Sequence, residues 1–174
     1  RLAERFALIG VQGIVRMAMA GFDVAAWDAL AIAAGLPLAT LLGSGPKRIP
    51  AYNSCGLGLM TPDKVAAEAE KLLAGDFRAI KLRLGYPTLA HDLAALHAVK
   101  KRVGPEVAVM VDYNQALSRA QALERGRALD QEGIYWLEEP IRHDDYAGYA
   151  VLVRELETPI QIGENFSESA SMAV

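Results

Sequence analysis

Four charged residues recur in this sequence at the spacing of one structural unit. They are Lys81, Asp112, Glu138 and Glu164, separated by 31, 26 and 26 residues. Three carboxylates brought to one place repel one another strongly. A divalent cation removes that repulsion, and an all-oxygen donor set selects Mg²⁺ or Mn²⁺. Zinc is a poor fit, because no His or Cys stands at these positions. Lys81 and Arg83 lie two apart, so on a strand both side chains share a face. They either balance the acidic cluster or handle an anionic substrate, and the two readings are compatible. A single acid at a strand end reads most simply as a cap for the following helix. Three in consecutive units favour a metal site.

From residue 50 onward, predicted strands at residues 51–54, 78–84, 107–111, 134–137 and 160–162 alternate with amphipathic stretches at helical spacing. The first helix is predicted over residues 61–73, with Thr61 as its N-cap, Pro62 at its first position and Gly75 just past its end. The second carries Leu89, Leu93, Leu96, Val99 and Val103 and stops at Gly104-Pro105; the third spans residues 118–131; the fourth begins at Asp144. Such alternation predicts a parallel sheet with right-handed crossovers. In a doubly wound open sheet successive strand ends fan out, whereas in a closed barrel they converge on one face. Converging charges favour the barrel. Closure takes roughly eight strands, so about five predict a partial one.

Residues 1–48 do not follow the alternation. Residues 21–34 read as an Ala-rich helix closed by Gly35 and Pro37, and residues 43–48 as a linker. The expected division is therefore a helical block over 1–48 and a partial β/α barrel over 49–174. The sequence opens on Arg1 rather than Met, and is expected to be a piece of a longer protein.

Composition narrows the function classes. The 174 residues are 52% hydrophobic and 22% charged, which excludes a disordered tail, a collagen-like chain and a coiled coil. Eighteen basic against 21 acidic residues give a net charge of −3, so no basic field argues for nucleic acid or an anionic membrane. The Ala-rich segment is broken by Asp23, Asp28 and Pro37, and no membrane span is expected. Cys55 alone cannot form an internal disulfide, which suits a reducing, cytoplasmic setting; it reads as a buried thiol. His91 and His97 fall on a solvated helix face, and His143 on the loop after Glu139-Pro140. Trp27 and Trp136 read as core residues.

Several motifs carry a family resemblance. Asp112-x-Asn114 with Ala122, Leu129 and Leu137-Glu138-Glu139-Pro140 resembles a signature of the mandelate racemase and muconate-lactonizing group of the enolase superfamily. Gly21-Phe-Asp-Val-Ala-Ala-Trp-Asp28, with Pro37 and Leu41-Leu42-Gly43, resembles that group's second signature, with imperfect matches at Phe22 and Ile32. Lys81-x-Arg83-Leu-Gly-Tyr-Pro87, Val111-Asp-Tyr-Asn-Gln115 and Gly163-Glu-Asn165 are most similar to the mandelate racemase branch.

The resemblance implies a capping α+β domain followed by a (β/α)₇β barrel. On it, Asp112, Glu138 and Glu164 match three Mg²⁺ ligands, and Lys81 matches the lysine that neutralises a substrate carboxylate. Ser54 resembles a substrate-contacting hydroxyl and Asn114 a polar residue supporting the site. The implied chemistry is removal of a proton alpha to a carboxylate through an enediolate, with a divalent ion and a lysine stabilising the charge. The expected partner is a small carboxylate substrate, and the parent is expected to be a homo-oligomer.

One position departs from the pattern. Where the group carries a second lysine as base, this chain has Arg83, whose guanidinium keeps its proton at ordinary pH. The resemblance places the opposite base, an aspartate–histidine pair, on later strands. That combination favours dehydration of a hydroxy acid or acid sugar by a lyase over two-base racemisation, leaving an isomerase open. A cycloisomerase, a truncated barrel without catalysis and an unrelated β/α binding module are the alternatives, and the acidic trio argues against the last.

Overall fold

In the computed structural model, residues 2–6, 8, 10–11 and 13–166 are described. The contacts divide the chain into two compact units, one containing the residues up to Ile49 and one spanning Pro50–Glu164.

The first unit is helical, with α1 (Leu2–Arg5), α2 (Ile14–Ala34) and α3 (Leu38–Leu41). Gly35, left-handed at φ 64°, closes α2 by donating its N–H to the carbonyls of Ala31 and Ile32. α2 starts seven residues before the sequence expectation. It is long and apolar enough to cross a membrane by length and composition only, with Arg16, Asp23 and Asp28 along it, which does not overturn the expectation of no membrane span.

The second unit alternates helix and strand: α4 (Pro62–Leu72), β1 (Ala79–Arg83), α5 (Leu89–Val103), β2 (Ala108–Asp112), α6 (Arg119–Asp130), β3 (Leu137–Glu138), α7 (Tyr146–Glu155) and β4 (Ile160–Gln161). Local chemistry marks the helix starts. Pro62 opens α4, the Thr88 hydroxyl accepts from the His91 N–H at the start of α5, and Ser118 with Gln121 forms a reciprocal capping box on α6.

The four strands are parallel and lie in chain order, β1-β2-β3-β4. That order is the barrel pattern; a doubly wound sheet reverses direction at its first strand. Ile80, Leu82, Val109, Val111 and Leu137 pack into a continuous core with Val65, Leu96, Val99, Leu129 and Leu152 of the helices. The alternate residues Lys81, Arg83 and Asp112 leave that core for the opposite face.

The expected strand at 51–54 reduces to a single bridge, Asn53 to Ile80, held by Asn53 N–H to Ala79 O at 2.9 Å and Lys81 N–H to Asn53 O at 3.1 Å. Two local features stop it there. Pro50 lacks an N–H, and the Asn53 side chain accepts from the Cys55 N–H at 3.0 Å, turning the chain. The strand expected at 134–137 shifts, and β3 is Leu137–Glu138.

Candidate active site

Register brings the charges together. Arg83 pairs with Asp112, and Asp112 pairs with Glu138, each the last residue of its strand. Lys81 lies mid-strand, two residues before that line, and reaches it by the length of its side chain. Its Nζ stands 2.7 Å from Glu138 Oε1 and 3.3 Å from Asp112 Oδ2. The Arg83 guanidinium is 3.7 Å from the same Asp112 oxygen. A cleft of about 520 Å³ opens here, lined among others by Ser54, Lys81, Arg83, Asp112, Asn114 and Glu164.

Neighbouring groups fix the two buried carboxylates. The Asn114 backbone N–H donates to Asp112 Oδ1 at 2.8 Å, and its side-chain amide stands 3.2 Å from both carboxylate oxygens. Trp136, two residues before Glu138 on the same face, donates its indole N–H to Glu138 Oε2 at 3.0 Å. Trp136 is thus half-buried and a positioning group, not simply core. The Tyr52 ring meets it edge-on at 5.3 Å and lies 5.9 Å from Lys81 Nζ.

Asn114, Gln115 and Glu139 all have positive φ, at 46°, 63° and 36°. Left-handed backbone at non-glycine residues costs free energy and persists where surroundings over-determine it. Here the surroundings are explicit. Gln115 donates its backbone N–H to Glu139 O and its side-chain amide to Glu139 Oε2, while its amide oxygen accepts from the His143 N–H at 2.9 Å. His143 Nδ1 lies 3.0 Å from that same oxygen, so the half-buried His143 braces the β2 and β3 ends.

The clustered charges shift the titration of two groups. Burial pulls the Lys81 ammonium down, but the hydrogen bond to Glu138 and the charges of Asp112 and Glu138 outweigh it, and the group titrates above the usual lysine range. Glu164 is held above the usual carboxylate range by burial and by the negative field of Glu139, Asp112 and Glu138, with Lys81 opposing. The mouth therefore carries an excess of negative charge.

Behind the mouth lies a buried network that the sequence reading missed. Asp92 on α5 is fully buried. It accepts from the Gly85 and Tyr86 backbone N–H groups at 2.9 Å each, from the Tyr113 hydroxyl at 2.8 Å and from Arg125 Nη1 at 2.5 Å. Arg125, on α6, also donates to the Tyr86 carbonyl at 2.9 Å. The network ties the segment after Arg83 to the residue after Asp112. A signal for it exists: Asp92 sits on the buried stripe with Ala95, Leu96 and Val99, where a charge needs a partner.

Other expected residues fall as follows. Glu164 is not at a strand end but three residues past β4, exposed at the cleft wall; Gln161 is the register partner of Glu138. The chain turns away after Gln161 through Gly163, at φ 128°. Ser54 is exposed on the cleft. Cys55 is exposed rather than buried, because its strand has given way to a turn. Trp27 is exposed, on the first unit. His91 and His97 are exposed, His97 meeting Glu132 at 2.8 Å.

The donor chemistry of Asp112, Glu138 and Glu164 fits a hard divalent cation: oxygen only, with an excess of negative charge. Among the described residues no three His, Cys, Asp or Glu side chains stand together as a ready metal set. The Lys81 ammonium bridges one oxygen each of Asp112 and Glu138.

Comparison with known proteins adds to this geometry. Residues 64–173 match the family described as enolase C-terminal domain-like, and residues 1–43 match the mandelate racemase / muconate lactonizing enzyme N-terminal domain. The L-talarate/galactarate dehydratase of Salmonella typhimurium is 39% identical over 159 residues, 91% of this chain and 40% of that protein. A crystal structure of an enolase from alpha pretobacterium bal199 with bound Mg superposes with a TM-score of 0.93 at 44% identity, covering 98% of this chain and 48% of that one. L-Talarate dehydratase from Polaromonas sp. JS666, complexed with Mg and L-glucarate, gives a TM-score of 0.90 at 36% identity, covering 99% and 48%. The chain spans less than half the length of these relatives.

Proposed function

The chain belongs to the mandelate racemase / muconate lactonizing enzyme family of the enolase superfamily, and on that premise we propose that its parent protein removes the α-proton of a hydroxy-carboxylate substrate and eliminates water from it. The observation that carries this reading is the pairing of two cations with the acidic strand ends. Lys81 is held at 2.7 Å from Glu138, and Arg83 stands beside it in one cleft. Asp112, Glu138 and Glu164 are the residues that would hold Mg²⁺ (or Mn²⁺), which when bound would supply positive charge to a substrate carboxylate.

Removing a proton alpha to a carboxylate puts a second negative charge on that group. Lys81 answers it with an ammonium that stays charged at neutral pH, fixed in place by its two carboxylate partners. Asn114 and Trp136 hold Asp112 and Glu138 in position, and the Ser54 hydroxyl faces the same cleft. Arg83 acts as a cation and not as the base, because a guanidinium does not give up its proton. Loss of the α-proton and of a β-hydroxide gives an enol that tautomerises to a 2-oxo acid. With Arg83 in place of a base on one face, a dehydratase is favoured over a two-base racemase. The site admits a small carboxylate, and a cytoplasmic homo-oligomer remains the expectation for the parent.

The test is incubation of the full-length protein with Mg²⁺ and a panel of hydroxy acids and acid sugars in D₂O, followed by proton NMR. Exchange of the α-proton with formation of a 2-oxo acid, abolished by Lys81→Met, is the expected result. Absence of both exchange and product across the panel would refute it.

A further inference from the structure

We propose that Tyr86 is a positioning residue for substrate binding, which holds the cleft wall formed by residues 54–59 from behind, through the backbone of Met60. The inference rests on the function proposed above, in that the ligand of the cleft is the substrate of that reaction.

The wall belongs to the segment between the Asn53 bridge and the start of α4. Ser54, Gly56, Gly58 and Leu59 line the cleft together with Lys81, Arg83 and Asp112. With Gly56 and Gly58 in it and no ladder or helix around it, this segment has little intrinsic shape. Among the described residues Gly58 and Leu59 form no hydrogen bond of their own, so Leu57 and Met60 on either side must place them. Leu57 is fully buried and left-handed at φ 58°, a conformation that persists only where the surroundings over-determine it. Its N–H donates to Glu68 Oε2 at 2.9 Å, and its carbonyl accepts from the Arg83 N–H at 3.0 Å.

At Met60 both backbone groups go to one atom. The Tyr86 hydroxyl donates to the Met60 carbonyl at 2.5 Å and accepts from the Met60 N–H at 2.9 Å. Phenylalanine would supply the same ring and leave both groups unmatched. The backbone of Tyr86 is gripped in turn from two sides. Its N–H donates to Asp92 Oδ1 at 2.9 Å, and its carbonyl accepts from Arg125 Nη1 at 2.9 Å. The buried Asp92–Arg125 pair therefore fixes Tyr86, and Tyr86 fixes the end of the wall. Tyr113, next to Asp112, bonds to the same Asp92, so the wall and the β2 end share one anchor. Among the described residues that line the cleft, neither Tyr86 nor Met60 is found, so Tyr86 acts on a ligand through the wall alone.

The experiment uses the full-length Mg²⁺-supplemented protein, its Tyr86→Phe variant and, as a control weakened at the start of α6, Ser118→Ala. Amide hydrogen exchange is read by mass spectrometry over residues 55–59, which excludes Met60 and so reports the wall rather than the deleted bonds. Exchange there should be roughly tenfold faster in Tyr86→Phe and unchanged in Ser118→Ala. For an acid that the protein turns over, KM should rise roughly 3- to 10-fold, because binding must now order the loop, with kcat held within about twofold. Mg²⁺ affinity by calorimetry should stay within about twofold, since Asp112, Glu138 and Glu164 lie outside the wall. Glu68→Ala, which releases Leu57 from α4, should reproduce both changes and decides the matter if Tyr86→Phe fails to fold. Unchanged exchange over 55–59, or faster exchange with KM unmoved, would overturn the proposal, as would a parallel loss of kcat and Mg²⁺ affinity. If no acid is turned over, the proposed function fails, and the exchange still decides whether Tyr86 holds the wall.

Discussion

Asp92 and Arg125 form the buried pair whose removal has the most calculable effect. Asp92→Ala takes away an acceptor of four hydrogen bonds. It strands the Arg125 guanidinium, whose side chain is 7% exposed, against the Tyr86 and Pro87 carbonyls. Breaking a buried ion pair by deleting one partner costs about 3–5 kcal/mol. That is a fifth or more of the roughly 5–15 kcal/mol by which folded proteins are stable. The reverse deletion, Arg125→Met, should cost less. Asp92 would keep two backbone N–H groups and the Tyr113 hydroxyl, so the loss is one charged hydrogen bond, about 1.5–3 kcal/mol. Adding Arg125→Met to Asp92→Ala should cost nothing further, because the stranded charge is gone. Urea unfolding of the full-length protein, followed by tryptophan fluorescence, should show the Asp92→Ala midpoint lower by roughly 1.5–2.5 M at an m-value near 2 kcal/mol/M. A cost below about 1 kcal/mol for Asp92→Ala, or a larger cost for Arg125→Met, would refute the account of a carboxylate solvated by its network.

Three further outcomes are expected. Tyr113 and Tyr149 titrate above the usual tyrosine range, chiefly through burial and then through the charges of Asp92 and Glu139 respectively. Each therefore contributes stability that is full below the unfolded tyrosine pKa of about 10 and is lost as pH rises toward the folded value; Tyr113→Phe should reduce the alkaline slope of stability by about 1.4 kcal/mol per pH unit. Glu138→Gln should weaken Mg²⁺ binding at least tenfold by calorimetry, and Mg²⁺ affinity of the unmodified protein should fall as pH drops through the raised pKa of Glu164, since the proton and the cation compete for one carboxylate. Ser118→Ala removes the capping box of α6 and should cost about 1 kcal/mol in urea unfolding without changing the α-proton exchange rate.

Lys81, Arg83, Asp112 and Glu138 were legible because two periodicities overlap on them. Alternation along a strand fixes their face, and the length of one β/α unit fixes their level. Glu164 escapes that logic, since it lies in a turn beyond β4, where spacing by units no longer specifies position. Asp92 escaped for a different reason. An acid in the first turn of a helix reads as a complement to the helix dipole, and its partner Arg125 stands 33 residues away on another helix. Yet Arg125 also sits on a buried stripe, between Ala122 and Leu129, as Asp92 does among Ala95, Leu96 and Val99. Two opposite charges on the apolar stripes of successive helices are a readable sign that the helices meet. The strand at 51–54 was over-read because its β-forming residues were counted and the side-chain acceptor of Asn53 was not.

The strained residues and the charged residues of the site are next to one another for a reason. Asn114 and Gln115 follow Asp112 after one residue, and Glu139 follows Glu138 directly. A strand continuing past Asp112 and Glu138 would carry their carboxylates along a ladder and set the next side chain to the opposite face. Left-handed backbone at these positions ends the ladder at once. It returns the Asn114 N–H and amide to Asp112, and brings Gln115 against Glu139. The conformational cost, about 1–3 kcal/mol per residue, is offset by hydrogen bonds that exist only in that conformation. The Asn114 bonds hold the Asp112 carboxylate at the mouth, and the Gln115 bonds tie the β2 end to Glu139, beside Glu138. Asparagine and glutamine thus do at this turn what glycine alone could not. Glycine would adopt the turn without strain and keep the backbone N–H donated to Asp112, but it would bring no side-chain amide to the carboxylate oxygens.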